Sequence, residues 1–367
     1  MSARICHLSS VHQPNDIRIF RKQCRSLAAH GYEVHFVVPG ARDETIDGVH
    51  RWGVERRAGR LRRMTQTVFD VYRRAAALRA DLYHFHDPEL LPVGYALKLR
   101  GARVVFDSHE DLPRQILSKP WIHPALRHPV AWGSEAVENV GLRFLDAVIG
   151  ATPHIAKRFA DLGLDAVAVN NYPMLGELDV LEVEWSTKKR QLCYVGGLSV
   201  IRSAREMVLA AGRAQIPLQI AGPFSPASLR EELLELPEAE HINCLGLLDR
   251  PAVAELLSTS LAGVVVFSEQ PNHVTAQPNK LFEYLAGGIP VIASHFPLWR
   301  ELVEGEDVGL CVDPADPAAI AEAMTTLATD RQRAEAMGRR GQALVRERCN
   351  WQAEEKTLIT LYERLLS

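Results

Sequence analysis

The sequence lacks the segments that direct a protein into or across a membrane. It begins Met-Ser-Ala-Arg-Ile, with no charged lead into an apolar region, and no apolar run approaches the ~20 residues that span a bilayer. A net charge of −3 also provides no overall basicity for nucleic acid. We therefore expect a cytoplasmic protein without a nucleic-acid partner.

Metal and disulfide patterns are absent as well. No C-x-x-C or paired Cys/His spacing occurs, and several of the six cysteines lie in apolar runs. They are Cys6, Cys24, Cys193, Cys244, Cys311 and Cys349. This pattern favours buried thiols in a reducing compartment. Since no D-x-D carboxylate pair is present either, the sequence predicts no required metal and no cofactor.

The chain of 367 residues has the composition of a globular protein, with 47% hydrophobic and 24% charged residues, and suffices for about two domains. Strands are predicted at 5–9, 34–38, 49–52, 147–150, 166–169, 191–195, 218–223, 242–246, 261–267, 290–293 and 308–312. Helices are predicted between them, including 16–30, 130–145, 203–214 and 352–366. This alternation predicts an α/β fold with parallel sheets.

Residues 277–294 carry the strongest functional signal. Pro278 suits the first turn of a helix, because its φ is fixed and its missing N–H would be unpaired there. Leu281 and Leu285 give that helix an apolar face, Gly287 ends it, and a short apolar strand follows. The pattern predicts a helix whose first turn points free N–H groups towards a ligand.

The polar residues of this helix indicate which ligand it binds. Lys280 adds a positive charge near the helix start, and Glu283 adds a carboxylate suited to the two hydroxyls of a ribose. Together with the helix dipole, they suit a nucleoside diphosphate. An ordinary proline-capped helix is the alternative.

These residues resemble the donor-binding helix of the retaining family-4 glycosyltransferases, which have the GT-B fold of two Rossmann-like domains facing each other across a cleft. The matching segments are Pro-Asn-Lys-Leu-Phe-Glu-Tyr-Leu-Ala from Pro278 and Gly-Ile-Pro-Val-Ile-Ala-Ser from Gly288, and the resemblance extends from Ile5 to about Tyr362. It implies an acceptor-side domain, a linker, a nucleotide-sugar donor domain and a helix crossing back to the first domain, over residues 1–173, 174–189, 190–349 and 350–367.

The resemblance also implies where the diphosphate binds. Family members carry Gly-Arg after the first strand of the donor domain, with a lysine five residues after the arginine. Here Gly197 takes the arginine position and Arg202 the lysine position, so one of the two usual cations is missing. Arg202 and Lys280 would then share the diphosphate.

A second departure concerns the sugar. The family has two glutamates separated by seven residues, and counting back from Glu283 gives Thr275, so the glutamate that contacts the sugar is absent. Glu269, Asn272 or His273 would replace it. The predicted donor-binding residues are Gly196, Gly197, Arg202, Gly222, Asn272, His273, Thr275, Asn279, Lys280, Leu281 and Glu283.

Histidines and carboxylates follow three predicted strands of the first half, within 10–18, 81–89 and 103–111. The carboxyl ends of parallel strands are where such sheets bind ligands. The predicted acceptor-side residues are His12, Asp16, Arg18, His86, Asp87, His109 and Glu110. Arg18 resembles a family cation and His109 the family histidine near the reacting sugar. Asp16 as a helix N-cap, and structural roles for His86, Asp87 and Glu110, are equal alternatives.

Arginine is dense over residues 51–79, where only Glu55 and Asp70 oppose it. The arginines are Arg51, Arg56, Arg57, Arg60, Arg62, Arg63, Arg73, Arg74 and Arg79. We expect peripheral contact with a phospholipid leaflet or a lipid-linked acceptor. A solvated helix face is an equal alternative, and RNA is disfavoured because stacking aromatics are not interleaved. The aromatic segment 112–146 would either bind the same acceptor or pack in the core.

The resemblance implies transfer of a sugar from a UDP- or GDP-sugar to a glycan or lipid-linked acceptor, with retention and without a covalent nucleophile. The predicted catalytic residues are His109, Arg202, Lys280 and Glu283, with no metal. A nucleotide-sugar epimerase of the same fold and a non-catalytic partner subunit are the alternatives. We expect a location in the cytoplasm or on the inner face of the cell membrane.

Overall fold

The computed structural model describes residues 2–119, 121–179 and 184–367. Met1 of the predicted first domain, Pro120 of the aromatic segment and residues 180–183 of the predicted linker lie outside this part. The chain divides into two units, Met1–Asn171 with Gln352–Ser367, and Tyr172–Trp351. Each unit is a predominantly parallel α/β sheet structure, which confirms the predicted fold class.

The strands of the first unit form one eight-stranded sheet. They are β1 (Arg4–Leu8), β2 (Glu33–Pro39), β3 (Glu44–Ile46), β4 (Val49–Val54), β5 (Leu82–Phe85), β6 (Arg103–Ser108), β7 (Ala147–Gly150) and β8 (Ala166–Ala168). Their order is β3-β4-β2-β1-β5-β6-β7-β8. Neighbours are parallel except β3, which pairs antiparallel with β4 and was not predicted. Four of the five residues of β1 and all four of β5 are buried, as in sheets covered on both faces.

Helices connect these strands. They are the π-helix Ile17–Cys24 continuing into α1 (Arg25–Ala29), α2 (Arg60–Arg62), the π-helical turn Arg63–Thr67, α3 (Val68–Leu78), the 3-10 turn Pro88–Leu90, α4 (Leu91–Lys98), α5 (Leu112–Leu117), α6 (Pro124–Gly141), the 3-10 turn Leu142–Phe144 and α7 (Pro153–Ala160). The helix predicted over 130–145 begins earlier, because Pro124 occupies a first-turn position that suits proline.

The second unit contains a six-stranded parallel sheet and a separate pair of short strands. The strands are β9 (Leu192–Val195), β10 (Leu198–Ser199), β11 (Leu218–Ala221), β12 (Phe224–Ser225), β13 (Ile242–Gly246), β14 (Ala262–Val265), β15 (Val291–Ser294) and β16 (Gly309–Val312). The large sheet has the order β13-β11-β9-β14-β15-β16, and β10 pairs with β12.

Seven α-helices and three 3-10 turns are described in the second unit. The helices are α8 (Ala204–Ala214), α9 (Leu229–Leu234), α10 (Arg250–Thr259), α11 (Asn279–Ala286), α12 (Pro297–Val303), α13 (Pro317–Thr329) and α14 (Arg331–Glu347), and the turns are Trp185–Thr187, Val200–Arg202 and Pro237–His241. A final helix, α15 (Trp351–Leu366), belongs almost entirely to the first unit. No helix in the described ranges is long and apolar enough to cross a membrane.

The strand order identifies where each sheet can hold a ligand. In the first sheet the direction of strand addition reverses between β1 and β5, and in the second it reverses between β9 and β14. Loops leaving the carboxyl ends of such strands diverge and leave a crevice. The predicted site residues follow these strands and their neighbours, so the topology places them at the carboxyl edges.

Candidate active site

The glycine loop after β9 lies against the loop after β11. The Gly196 N–H donates to Ala221 O at 2.8 Å. Gly222 has a φ of +148°, and a Cβ there would lie 2.1 Å from Gly196 O, so only glycine fits. At Gly196 a Cβ would lie 3.0 Å from the Lys280 Nζ. The loop and the lysine of α11 are therefore adjacent.

Lys280 is an unpaired buried cation. Its Nζ is buried and has no hydrogen-bond partner among the residues that the structure describes. It lies 3.8 Å from the ring centroid of Tyr194. Burial, reinforced by the charge of Arg202, holds the pKa of Lys280 well below its ordinary value. An anion bound here would supply the missing acceptor.

Arg202 brings a second positive charge to the same place. Its Nη1 donates to Gly197 O. Its Cζ lies 5.7 Å from the ring centroid of Phe267, and Lys280 Nζ lies 5.6 Å from that ring. Two cations thus approach one aromatic side chain at the edge of the sheet, an arrangement that suits a multiply charged anion.

Glu283 is held by an arginine that sequence reasoning missed. Its Oε1 accepts from Arg250 Nη1 at 2.7 Å, and Arg250 Nη2 donates to Glu177 Oε2 at 2.7 Å. Although burial opposes it, the pairing with Glu283 and Glu177 raises the pKa of Arg250. Glu283 Oε2 accepts no hydrogen bond from the described residues, and the side chain is 19% exposed. One carboxylate oxygen is fixed and the other is open to a hydroxyl.

The other predicted donor residues differ in accessibility. Asn279 is exposed, whereas Thr275 and Asn272 are half-buried. His273 Nδ1 lies 3.0 Å from Ser268 O, so this nitrogen carries the proton. The side chain of Leu281 is only 1% exposed and packs in the core, so this side chain is not open to a ligand, and the assignment of Leu281 to the donor site stays a prediction. Its place on the apolar face of α11 explains the burial.

The carboxyl edge of the first sheet carries a chain of histidines. His7 Nδ1 lies 3.0 Å from His86 Nε2, and His86 Nδ1 lies 3.1 Å from His109 Nε2. Tyr362 of α15 brings its hydroxyl to 3.3 Å from His7 Nε2 and 2.6 Å from His84 Nδ1. Burial lowers the pKa of His84 to about 3. It also holds the pKa values of His7 and His86 well below their ordinary range, so these three rings are neutral at pH 7.

Asp107 is the charged centre of this cluster. It accepts from Arg18 Nη2 at 2.7 Å and Nε at 2.9 Å, and from Gln23 Nε2 at 2.8 Å. Its Oδ2 lies 3.3 Å from both His86 Nδ1 and His109 Nε2. Burial alone would raise the pKa of Asp107, but Arg18 and the two rings hold it well below the ordinary value.

Arg18 therefore has a different role from the one predicted. Its side chain is 4% exposed, and its Nη1 donates to Val169 O at 2.8 Å. The charge is committed to Asp107 and is not presented to a ligand, because the carboxylate is buried beside it. Asp16 caps the following helix by accepting from Ile19 N at 2.9 Å, in agreement with the alternative considered for it.

A second carboxylate orders the loop after β1. Asp87 Oδ2 accepts from Ser10 N at 2.7 Å and from Ser9 Oγ at 2.8 Å. His12 Nδ1 lies 3.2 Å from Asp87 Oδ1. Burial would lower the pKa of His12 and raise that of Asp87, but their pairing reverses both shifts. Glu110 is exposed at the same edge.

Two sets of side chains place three possible metal-ligand atoms within 4.8 Å of one another. They are His7, His84 and His86, and His86, Asp107 and His109. In both sets hydrogen bonds already join members to each other, and Arg18 balances the charge of Asp107. These contacts satisfy most of the groups without a divalent ion. The buried Nε2 of His84 has no hydrogen-bond partner in the described chain and lies 3.9 Å from Asp107 Oδ2.

The arginine-rich segment does not form one exposed basic face. Arg51 is buried and bonds Glu44 at 2.6 Å, and three other arginines are drawn into ion pairs with carboxylates. Those three are Arg57, Arg63 and Arg74. Arg56 instead binds backbone carbonyls. The exposed arginines whose side chains have neither an ion pair nor a hydrogen bond among the described residues are Arg60, Arg62, Arg73 and Arg79.

A cavity of about 680 Å³ in the first unit lies away from the histidine cluster of that unit. Asp81 and Arg103, which line it, stand at the amino ends of β5 and β6, together with the end of α15. The histidine cluster occupies the opposite ends of these strands. The predicted site residues of this unit therefore lie at the carboxyl edge and not in this cavity.

Comparisons with known proteins identify the family of both halves of the chain. Residues 17–172 match the model of the glycosyl transferase 4-like domain, and residues 190–330 match that of the glycosyl transferases group 1. The phosphatidyl-myo-inositol mannosyltransferase of Mycobacterium leprae is 23% identical over an alignment of 314 residues, and the alignment covers 77% of this chain and 73% of that protein.

Solved structures resemble the chain over nearly its whole length. Sucrose-phosphate synthase from Thermosynechococcus elongatus superposes with a TM-score of 0.76 at 20% identity, covering 99% of both chains. Anabaena HepE in complex with UDP and glucose superposes with a TM-score of 0.71 at 14% identity, covering 99% of this chain and 100% of that one. The predicted family and GT-B fold are confirmed. The chain belongs to the family-4 glycosyltransferases of the GT-B fold and is a transferase of glycosyl groups.

Proposed function

We propose that the enzyme takes its sugar from a UDP- or GDP-linked donor bound at the carboxyl edge of the second sheet. The observation that carries this proposal concerns Lys280. Its buried Nζ lies next to Gly196 and has no hydrogen-bond acceptor among the described residues. Arg202 and the amino end of α11 add positive potential at the same edge. A diphosphate is the ligand class that satisfies all three.

Cleavage of the bond between sugar and phosphate places negative charge on the leaving diphosphate. Lys280 and Arg202 would stabilise that charge as it grows in the transition state, each by about 1.5–3 kcal/mol. Glu283 would bind the ribose hydroxyls through Oε2 while Arg250 holds Oε1. We propose retention by attack on the face that the diphosphate leaves, with no protein nucleophile and no metal.

The acceptor side of the proposal rests on the first unit. His109 is 21% exposed at the end of the histidine chain, where its ring can contact a sugar or acceptor hydroxyl. The mycobacterial relative is named for a lipid acceptor, phosphatidyl-myo-inositol. We propose a lipid-linked or polysaccharide-precursor acceptor, used at the cytoplasmic face of the cell membrane. Arg60, Arg62, Arg73 and Arg79 remain available for anionic headgroups.

Calorimetric titration with UDP, GDP and their sugars, without added metal, tests the donor site. We expect one nucleotide to bind, and Lys280→Met and Glu283→Ala to weaken that binding at least tenfold. Lys189→Met is the matched control, because Lys189 is an exposed lysine of the same unit. Equal affinity in the wild type and Lys280→Met would contradict the proposed diphosphate site.

Product analysis separates transfer from the alternatives. We expect nucleotide release to increase when a competent acceptor is added. Release or epimerisation of the donor at the same rate without any acceptor would favour the epimerase. Failure of every UDP- and GDP-linked donor to bind would contradict the proposal. It would favour the non-catalytic partner subunit and would attribute the loss of donor binding to the departures at Gly197 and Thr275.

A further inference from the structure

Helix α6 of the first unit presents an apolar face to solvent. At 100° per residue, Leu126, Val130, Val137 and Val140 lie within about 80° of one another around the helix. Their exposures are 56%, 43%, 62% and 62%. A surface helix ordinarily turns its apolar residues inward and its charged residues outward. This exposed stripe therefore requires a partner.

The carboxylates of α6 lie away from this stripe. Glu135 pairs with Arg114 at 2.7 Å, and Glu138 is buried and paired with Arg158. Both glutamates lie more than 90° around the helix from the centre of the stripe. The exposed face of α6 consequently carries no carboxylate that would repel an anionic surface.

Aromatic and cationic side chains lie near the two ends of the stripe. Trp121 is 56% exposed just before α6. Trp132 is also exposed, at 76%, but lies about 120° around α6 from the centre of the stripe. The Arg60 guanidinium lies 3.8 Å from the ring centroid of Trp121, so the unpaired part of the arginine-rich segment adjoins the start of α6. Arg143 is exposed just beyond the end of α6.

We propose that α6 lies in the plane of an anionic phospholipid bilayer, with its apolar stripe in the acyl boundary. Tryptophans prefer the headgroup level, and flanking arginines contact the lipid phosphates. A bilayer fits better than a second copy of the chain, because cations lie at the two ends of the stripe and two copies would bring like charges together. This proposal deepens the lipid-acceptor part of the proposed function and rests on it.

Vesicle sedimentation with the full chain tests the assignment. We expect binding to vesicles of phosphatidylcholine with phosphatidylglycerol, and weak binding to phosphatidylcholine alone. Val137→Glu with Val140→Glu should reduce binding at least tenfold, and Arg60→Gln with Arg62→Gln should reduce the preference for anionic lipid. Leu99→Glu and Leu247→Glu are matched controls, since these leucines are 90% and 82% exposed outside α6, and they should leave binding unchanged.

Each other outcome has a defined meaning. Unchanged vesicle binding by the valine variant, or no binding of wild type to anionic vesicles, overturns the proposal. Light scattering that shows a dimer dissociated by the valine substitutions assigns the stripe to a second copy instead. The vesicles contain neither donor nor acceptor, and UDP titration of the same variant reports separately on the donor site, where we expect no change.

Discussion

The carboxyl edges of the two sheets occupy equivalent places in their units but differ in electrostatics. At the first edge the buried charge of Asp107 is neutralised within the protein by Arg18. At the second edge Lys280 is buried with no acceptor in the described chain. The buried charge of the first edge is therefore already paired, whereas the second edge lacks an anion that a ligand can supply.

A second lysine shows that burial alone does not indicate a ligand site. Lys188 is also buried and stacks over an aromatic ring, that of Trp185, at 4.9 Å. Its Nζ donates to three backbone carbonyls at 2.9–3.1 Å, those of Leu257, Ser258 and Ser260. Burial lowers the pKa of Lys188 to about 8. The missing acceptor, and not the burial, distinguishes Lys280.

The largest expected effect comes from removing the buried ion pair at the first edge. Arg18→Ala should destabilise the first unit by about 3–5 kcal/mol, because it leaves Asp107 buried and unpaired. Denaturant unfolding, with amide hydrogen exchange to locate the change, measures this loss. Arg202→Ala is the control and should alter stability by less than about 1 kcal/mol while weakening UDP binding. Equal stability losses in the two variants would remove the distinction between the edges.

Substitution of the two buried lysines should have opposite effects on stability and on UDP affinity. Lys188→Met leaves three carbonyls without their donor and should cost about 1–3 kcal/mol of stability, with UDP affinity unchanged. Lys280→Met removes an unpaired buried cation, so stability should hold or rise while UDP affinity falls about 10- to 100-fold. Thermal unfolding and calorimetry measure the two quantities. A loss of stability in Lys280→Met would mean that its ammonium is already satisfied.

Acid should weaken the first unit in particular. The pKa of His84 is lowered to about 3, so between pH 6.5 and 3 the unfolded chain binds a proton that the folded chain excludes. Stability from this ring is fully present above pH 6.5 and is lost as pH falls, by about 1–2 kcal/mol at pH 5.5. Hydrogen exchange of β5 and β6 at pH 7.0 and 5.5 measures it. His84→Gln should flatten the pH dependence, and an unchanged slope would count against a neutral buried ring.

The smallest expected effect concerns Arg250. Arg250→Gln releases Glu283 from its ion pair, and we expect UDP affinity to fall about three- to tenfold. Calorimetry with UDP and 2′-deoxy-UDP should show the preference for the ribose 2′-hydroxyl shrinking as well. Loss of affinity without any change in that preference would mean that Glu283 does not bind the ribose.

Local signals made the second edge the more predictable of the two. Pro278, Gly287 and Gly288 delimit a helix by their own backbone preferences, and α11 begins one residue after the proline. The glycines after β9 and the cation Arg202 are also recognisable from the sequence, because they follow a predicted strand directly and glycine allows a close backbone approach. Lys280 is recognisable from its position on the helix, but its lack of an acceptor depends on Tyr194 of β9 and on Phe267, which follows β14.

The first edge depends on partners remote in sequence. Arg18 and Asp107 are 89 positions apart, and His84 and Tyr362 are 278 apart. Because no local pattern reports such a pairing, Arg18 was interpreted as a ligand-binding cation. For the same reason Tyr362, Gln23 and Arg250 carry no signal that reading the chain in order could use.

The sequence by itself determined the alternation of strands and helices, the helix of residues 279–286 and the family. These features depend on hydrophobic periodicity, proline and glycine, which act over a few residues. Only the tertiary structure decided which charges are neutralised and which faces stay exposed, including the apolar stripe of α6. Those properties depend on which distant groups come within about 3–4 Å, where a buried charge is either paired or left to a ligand.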